Sequence, residues 1–171
     1  MAVSWGHVVG PVVQWIEHHR PKVGVGGSIP SRATNLDMIN KAALTLFRTT
    51  AQGGELLFVR PVGKSLFVLP GGKQEPGEAM EQALKRELLE ELGLKLQDIK
   101  KLGNVRGKTP DGRALTMYLF TAIPMSEPQP QEGDIEELAW LSKTAVLARG
   151  DQMTPMTLTQ VVPFLDKLGL W

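Results

Sequence analysis

The sequence predicts an α/β protein on three observations: short β-branched and aromatic runs, one amphipathic helix near the middle, and glycine- and proline-rich punctuation between them. Lys41 to Arg48 reads as a strand, Gln52-Gly53-Gly54 as a turn and Glu55 to Arg60 as the return strand, together a hairpin. Ser65 to Leu69 reads as a third short strand ending in Pro70-Gly71-Gly72, where two glycines admit backbone conformations that other residues resist. From Glu78 to Leu92 the pattern turns helical. Ala79, Ala83, Leu84, Leu88, Leu89 and Leu92 form an apolar stripe, and Gly93 supplies the stop. Ile99 to Lys108 and Ala114 to Ile123 read as strands around the turn Thr109-Pro110-Asp111-Gly112. A proline-rich loop from Pro124 to Gly133 precedes a strand at Ile135 to Leu141 and a short helix at Lys143 to Ala148. A last helix is expected from Thr154 to Leu168, opened by Pro155 and kinked at Pro163.

The chain has 171 residues, 42% hydrophobic and 22% charged, which is material for one packed domain. Nineteen bases against eighteen acids give a net charge of +1, so bulk charge does not mark a nucleic-acid binder; a local patch stays open. The lack of cysteine removes disulfides, zinc-thiolate sites and cysteine nucleophiles, and is compatible with a cytoplasmic location. No apolar run reaches the roughly 18 residues that a membrane-spanning helix needs.

Residues 1–37 differ from the rest: all three histidines, His7, His18 and His19, lie there with Trp5 and Trp15. Without this segment's Arg20, Lys22, Arg32, Glu17 and Asp37, sixteen bases and sixteen acids remain. Val8 to Ile16 is apolar but lacks a basic leader and is broken by Pro11 and Gln14, a poor signal peptide. Gly27-Ser28-Ile29-Pro30 can be encoded by GGT TCG ATT CCC, which contains a transfer-RNA T-arm sequence, and Gln14 to Glu17 can encode a D-arm-like stretch. The expectation is a non-domain extension, a transfer-RNA gene translated in frame, with Met38 as the natural start. A flexible arm is the alternative.

The chemistry concentrates in Gly72 to Leu94. Glu87, Glu90 and Glu91 stand at i, i+3 and i+4 on one helix face, about 5–6 Å apart. Their mutual repulsion in water is small, about 0.2–0.5 kcal/mol per pair, so an exposed acidic face is the bland reading. The context favours another: a glycine-rich turn enters the helix, Glu78 begins it and Arg86 lies beside the acids, gathering the hard oxygen donors that Mg²⁺ prefers.

Gly72, five residues, Glu78, seven residues, and Arg86-Glu87-Leu88-Leu89-Glu90-Glu91-Leu92-Gly93-Leu94 match every defined position of the Nudix box, and in this the chain resembles the Nudix hydrolase family, MutT-like members included. Nine such positions coincide by chance with a probability on the order of 10⁻⁹ per register. The resemblance implies an α/β/α sandwich, with a mixed β-sheet between helices, over residues 38–171. It also implies a pyrophosphohydrolase that cleaves a nucleoside diphosphate linked to X with Mg²⁺, Mn²⁺ being acceptable. On this chain it assigns Glu87 and Glu91 as main metal ligands, Glu90 as a further ligand or base, and the Gly72 carbonyl as an added ligand. Glu78 and Arg86 would pair and hold the loop against the helix. A further acid after the box is expected among Glu132, Asp134, Glu136 and Glu137, with Asp134 and Glu136 preferred. Arg60 and Lys73 are candidates for phosphate contact. Tyr118 and Trp140 are candidates for base stacking, although Trp140 also suits core packing.

Pro110 lies sixteen residues beyond Leu94, a spacing similar to that in ADP-ribose hydrolases, but Pro110-Asp111-Gly112 is a good turn by itself. The coenzyme A motif is not visible, and the isopentenyl diphosphate isomerase reading fails for want of a cysteine. The lead substrate is therefore a (deoxy)nucleoside triphosphate, oxidised ones included, yielding monophosphate and pyrophosphate. ADP-ribose or a nucleotide sugar is the runner-up, and a non-catalytic nucleotide sensor the alternative of a different class. Neither a membrane nor a nucleic acid polymer is expected as a partner, and the sequence does not speak to oligomeric state.

Overall fold

A computed structural model describes residues 38–109, 111–131 and 133–171. The expectations for residues 1–37, Pro110 and Glu132 lie outside the described residues. The elements are β1 (Ile39–Leu44), β2 (Phe47–Thr50), β3 (Gly53–Pro61), α1 (Met80–Leu92), β4 (Leu96–Lys108), β5 (Ala114–Pro124), β6 (Ile135–Ser142), α2 (Lys143–Ala148) and α3 (Val162–Lys167).

The strands form two three-stranded sheets, ordered β1-β5-β4 and β2-β3-β6. In the first, β1 runs parallel to β5 and β4 antiparallel to it; the second is wholly antiparallel. Lys41 to Arg48 is thus not one strand. The chain leaves the first sheet at Thr45 and enters the second at Leu46. Both Thr45 N–H and Oγ1–H donate to Phe120 O (2.7 and 2.9 Å), while Leu46 O accepts from Leu57 N–H (3.0 Å). The buried hydroxyl is satisfied by a carbonyl of the first sheet, so the crossover costs little. The expected hairpin survives as β2 and β3, with Thr50 opposite Gly53.

Strand alternation then sends neighbouring residues to opposite sides. Ala42, Leu44, Leu57, Val59, Phe120 and Ala122 meet Ala83, Leu84, Leu88 and Leu92 of α1. Ala43, Leu56, Phe58, Met117 and Leu119 face away, toward Val146 of α2 and Val162 and Leu165 of α3. The result is the expected α/β/α sandwich, with the mixed sheet divided into two. Trp171 closes the second core, its ring centroid 6.2 Å from those of Phe47 and Phe58.

Ser65 to Leu69 forms no strand; Val68 and Phe67 make isolated bridges to Val59 and Met153. α1 begins at Met80, two residues after the expected Glu78, because Glu78 is held in the entering loop. Gly93 ends α1 as expected, at φ 59° in the left-handed region. The last helix accommodates Pro163 by a widened π-helical turn, Thr157–Val161, just before α3. Among the described residues, no helix is long and apolar enough to cross a membrane.

Candidate active site

The loop that leaves Leu69 runs beside β1 before entering α1. Ala42 N–H donates to Gly72 O (2.9 Å), Gln74 N–H donates to Asn40 O (2.9 Å), and Lys41 bridges Lys73. The approach is too close for side chains at the two central residues. A Cβ on Gly71, at φ 122°, would lie 2.3 Å from Ala42 O, and one on Gly72 would lie 1.8 Å from the Glu87 carboxylate carbon. The glycines bring loop backbone against β1 and against the α1 carboxylates at once.

Arg86 organises the acids. Its Nε and Nη2 donate to Glu78 (3.0 and 3.1 Å), Nη1 to Glu87 Oε1 (3.0 Å) and Glu90 Oε2 (3.3 Å), and Nη2 also to Lys73 O (3.1 Å). Glu78 Oε2 accepts from Glu75 N–H as well (3.1 Å). One guanidinium thus joins loop backbone, loop acid and two helix acids. Glu78 is held below the usual carboxylate range, chiefly by its bond from Arg86, and Arg86 is raised in return. A depressed carboxyl pKa stabilises the fold above the unfolded value, near 4.5, and that stabilisation is lost as pH falls through the folded value. In urea titrations, Glu78→Gln should therefore show a shallower loss of stability in acid than the parent protein.

Glu91 reaches back to the loop, its Oε2 accepting from Gly71 N–H (3.1 Å). It is half-buried, and burial pushes its pKa up; the Gly71 bond and Lys41 oppose this, while the charges of Glu87 and Asp134 reinforce it. Lys41 is the residue that sequence reasoning passed over. Burial holds its ammonium below the usual lysine range, against the pull of Glu91 and Glu87. A lysine opening a run to Phe47 that is apolar but for Thr45 was the available signal.

The other expected residues divide. Asp134 comes within electrostatic reach of Glu91. Glu136 and Glu137 instead take up Arg60, at 2.7 and 2.8 Å, so two residues considered for substrate contact pair with each other. Lys73 is exposed beside the loop. Tyr118 lies half-buried on the α1 side, beneath the Lys101 ammonium at 4.7 Å, and Trp140 packs on that core with Arg48 Cζ 4.6 Å from its ring centroid.

Glu87, Glu90 and Glu91 each keep one oxygen that accepts no hydrogen bond among the described residues. These hard donors match a divalent cation in kind. No three acidic side chains among the described residues converge closely enough to enclose an ion as they stand.

An α/β/α sandwich bearing an arginine-braced carboxylate helix against a glycine loop defines the class. Residues 39–159 match the NUDIX domain, and the chain belongs to that family. Over 53 residues it is 43% identical to the RNA pyrophosphohydrolases of Proteus mirabilis (strain HI4320) and Yersinia pestis (strain Pestoides F), a match covering 31% of this chain and 30% of theirs. The solution structure of the E. coli ORF135 protein aligns with a TM-score of 0.59 at 25% identity, over 80% of this chain and 91% of that one. The MutT protein of Methanosarcina mazei Go1 aligns at 0.60 and 19% identity, over 80% and 96%, a likeness of fold alone.

Proposed function

We propose that residues 38–171 form a nucleotide pyrophosphohydrolase whose lead substrate is a (deoxy)nucleoside triphosphate, cleaved to the monophosphate and pyrophosphate. The observation that carries this reading is the set Glu87, Glu90 and Glu91, each with an oxygen to spare, braced by Arg86 over the Gly71-Gly72 loop. The NUDIX family match and the pyrophosphohydrolase name among its relatives support the class of reaction.

Mg²⁺ would be held by Glu87, Glu91, Glu90 and the Gly72 carbonyl, whose second lone pair is not used by Ala42 N–H. When bound, such an ion neutralises phosphate oxygens and makes a water more acidic. Arg86 sets the direction of Glu87 and Glu90, and the Gly71 N–H sets that of Glu91. The Glu90 side chain is 57% exposed against 19% for Glu87, so its free oxygen is the one open to take a proton from attacking water. Asp134 adds negative charge facing Glu91, and Lys73 offers a cation to the phosphates at the mouth of the loop.

The test is turnover of a panel of nucleoside triphosphates, ADP-ribose, nucleotide sugars and dinucleoside polyphosphates with Mg²⁺. Activity should vanish on chelation and return with Mg²⁺ or Mn²⁺. Preference for ADP-ribose or a sugar nucleotide would move the substrate assignment, whereas tight binding of one compound without turnover of any would replace the enzyme by a sensor.

A further inference from the structure

Lys41 is half-buried and takes no part in the chemistry assigned to Glu87, Glu90 and Glu91. On one edge of β1 it stands in register with Met117 of β5, which pairs in turn with Val105 of β4. On the other edge the glycine loop runs alongside as an added strand, and Lys41 forms an antiparallel bridge with Lys73. Directly paired residues share a face of a sheet, so Lys41 and Lys73 project together with Met117 and Val105, to the side away from α1. Gly72, one residue before Lys73, is turned the other way, and a Cβ there would run into Glu87. The loop therefore has the α1 carboxylates on one side and two lysine side chains on the other.

Like charges directly opposite in an antiparallel pair work against the fold. Neither ammonium is offset by a direct partner: among the described residues, the side chains of Lys41 and Lys73 make no hydrogen bond and no ion pair. Around Lys41 its own face is apolar, with Ala43, Met117 and Val105 all buried. Glu91 and Glu87 nonetheless act on Lys41 electrostatically, as does Lys73. The ammonium is thus near enough to feel both carboxylates and bonded to neither. A lysine serving only to neutralise Glu91 would pair with it, whereas Glu91 Oε2 takes the Gly71 N–H.

We infer that Lys41 contacts the substrate, holding with Lys73 a phosphate of the diphosphate group across the glycine loop from Glu87 and Glu91. The inference rests on the hydrolase reading above and adds to it a residue that grips substrate rather than metal. A diphosphate bound to a cation at the carboxylates keeps oxygens that the cation does not cover, and an anion between Lys41 and Lys73 relieves their repulsion. Less water screens a contact at half-buried Lys41 than at exposed Lys73, so Lys41 carries the larger share.

The test is titration calorimetry on the parent protein, Lys41→Met, Lys41→Arg and Lys73→Met, first with Mg²⁺ alone and then with α,β-methylene ATP at saturating Mg²⁺. Lys41→Met should bind the nucleotide about tenfold more weakly, the value of one charged hydrogen bond. Mg²⁺ alone should bind it as tightly as the parent or more so, because a positive charge that acts on Glu91 and Glu87 is gone. Lys41→Arg, which keeps the charge, should recover nucleotide binding at least in part. Without ligand, Lys41→Met should melt at or above the parent temperature, since burial opposes the ammonium it removes. Lys73→Met changes an exposed residue, so its reading does not depend on how the core tolerates substitution; it should weaken the nucleotide by a smaller factor. Nucleotide affinity unchanged in Lys41→Met or in Lys73→Met overturns the paired contact. Equal weakening of nucleotide and of Mg²⁺ in Lys41→Met also overturns it and leaves Lys41 a structural counter-charge. A parent protein that hydrolyses no nucleotide and binds none with Mg²⁺ instead overturns the hydrolase reading, and the contact with it.

Discussion

Glu91→Gln is expected to cut kcat/KM by about a thousandfold or more, because metal-assisted charge stabilisation supplies several kcal/mol and each ~1.36 kcal/mol is a factor of ten. The fold should not suffer. Glutamine keeps the size of Glu91 and an oxygen that can accept from Gly71 N–H, as Glu91 Oε2 does at 3.1 Å. It also removes a charge that the fold opposes, since burial raises the Glu91 pKa. The sign follows from linkage: a carboxyl raised in the folded state costs stability as pH rises through the unfolded and then the folded value, so at neutral pH the variant should melt at or above the parent temperature. Measured without added metal, an unchanged or higher melting temperature beside lost turnover assigns Glu91 to the reaction. Turnover unchanged by the substitution would refute the carboxylate-metal mechanism.

Gly71→Ala should be the most damaging single substitution for stability, while its neighbour Gly72→Ala should damage activity instead. At Gly71 the added Cβ would sit 2.3 Å from Ala42 O, a backbone atom of a buried strand, at a φ of 122° that side chains resist. Neither obstacle can swing aside. Strain and overpacking together predict a loss of about 2–5 kcal/mol, a fall in melting temperature on the order of 10 °C. At Gly72 the obstacle is the Glu87 carboxylate, the end of a flexible side chain. Gly72→Ala should therefore fold, with Glu87 displaced and turnover lost. Thermal melts and kinetics on the pair separate the two roles; equal melting temperatures for both variants would contradict this assignment.

The site and the fold differ in how far the sequence discloses them. Glu87, Glu90 and Glu91 share a face because the helical repeat requires it, and Arg86 and Glu78 meet because one helix and its entering loop hold them. These are short-range facts. The division of Lys41 to Arg48 between two sheets is not, because Thr45 turns on a carbonyl at Phe120, seventy-five residues away. Ser65 to Leu69 has strand composition but finds only isolated bridges to Val59 and Met153. The sequence preferred Asp134 and Glu136 over Glu137 without choosing between the two; Arg60 on β3 separates them by pairing with Glu136 and Glu137.

By itself, the sequence determined the α/β class, the helix with its glycine stop, and the placing of Glu87, Glu90 and Glu91 on one face, because helical periodicity and fixed spacing set those relations locally. Its net charge of +1 also concealed what the sheet assembles. Only the tertiary structure brought Lys41 and Asp134 within electrostatic reach of Glu91 and paired Glu136 and Glu137 with Arg60. Each depends on strand register and sheet order, and pairing between distant segments is set by how the whole core packs rather than by the residues that it brings together.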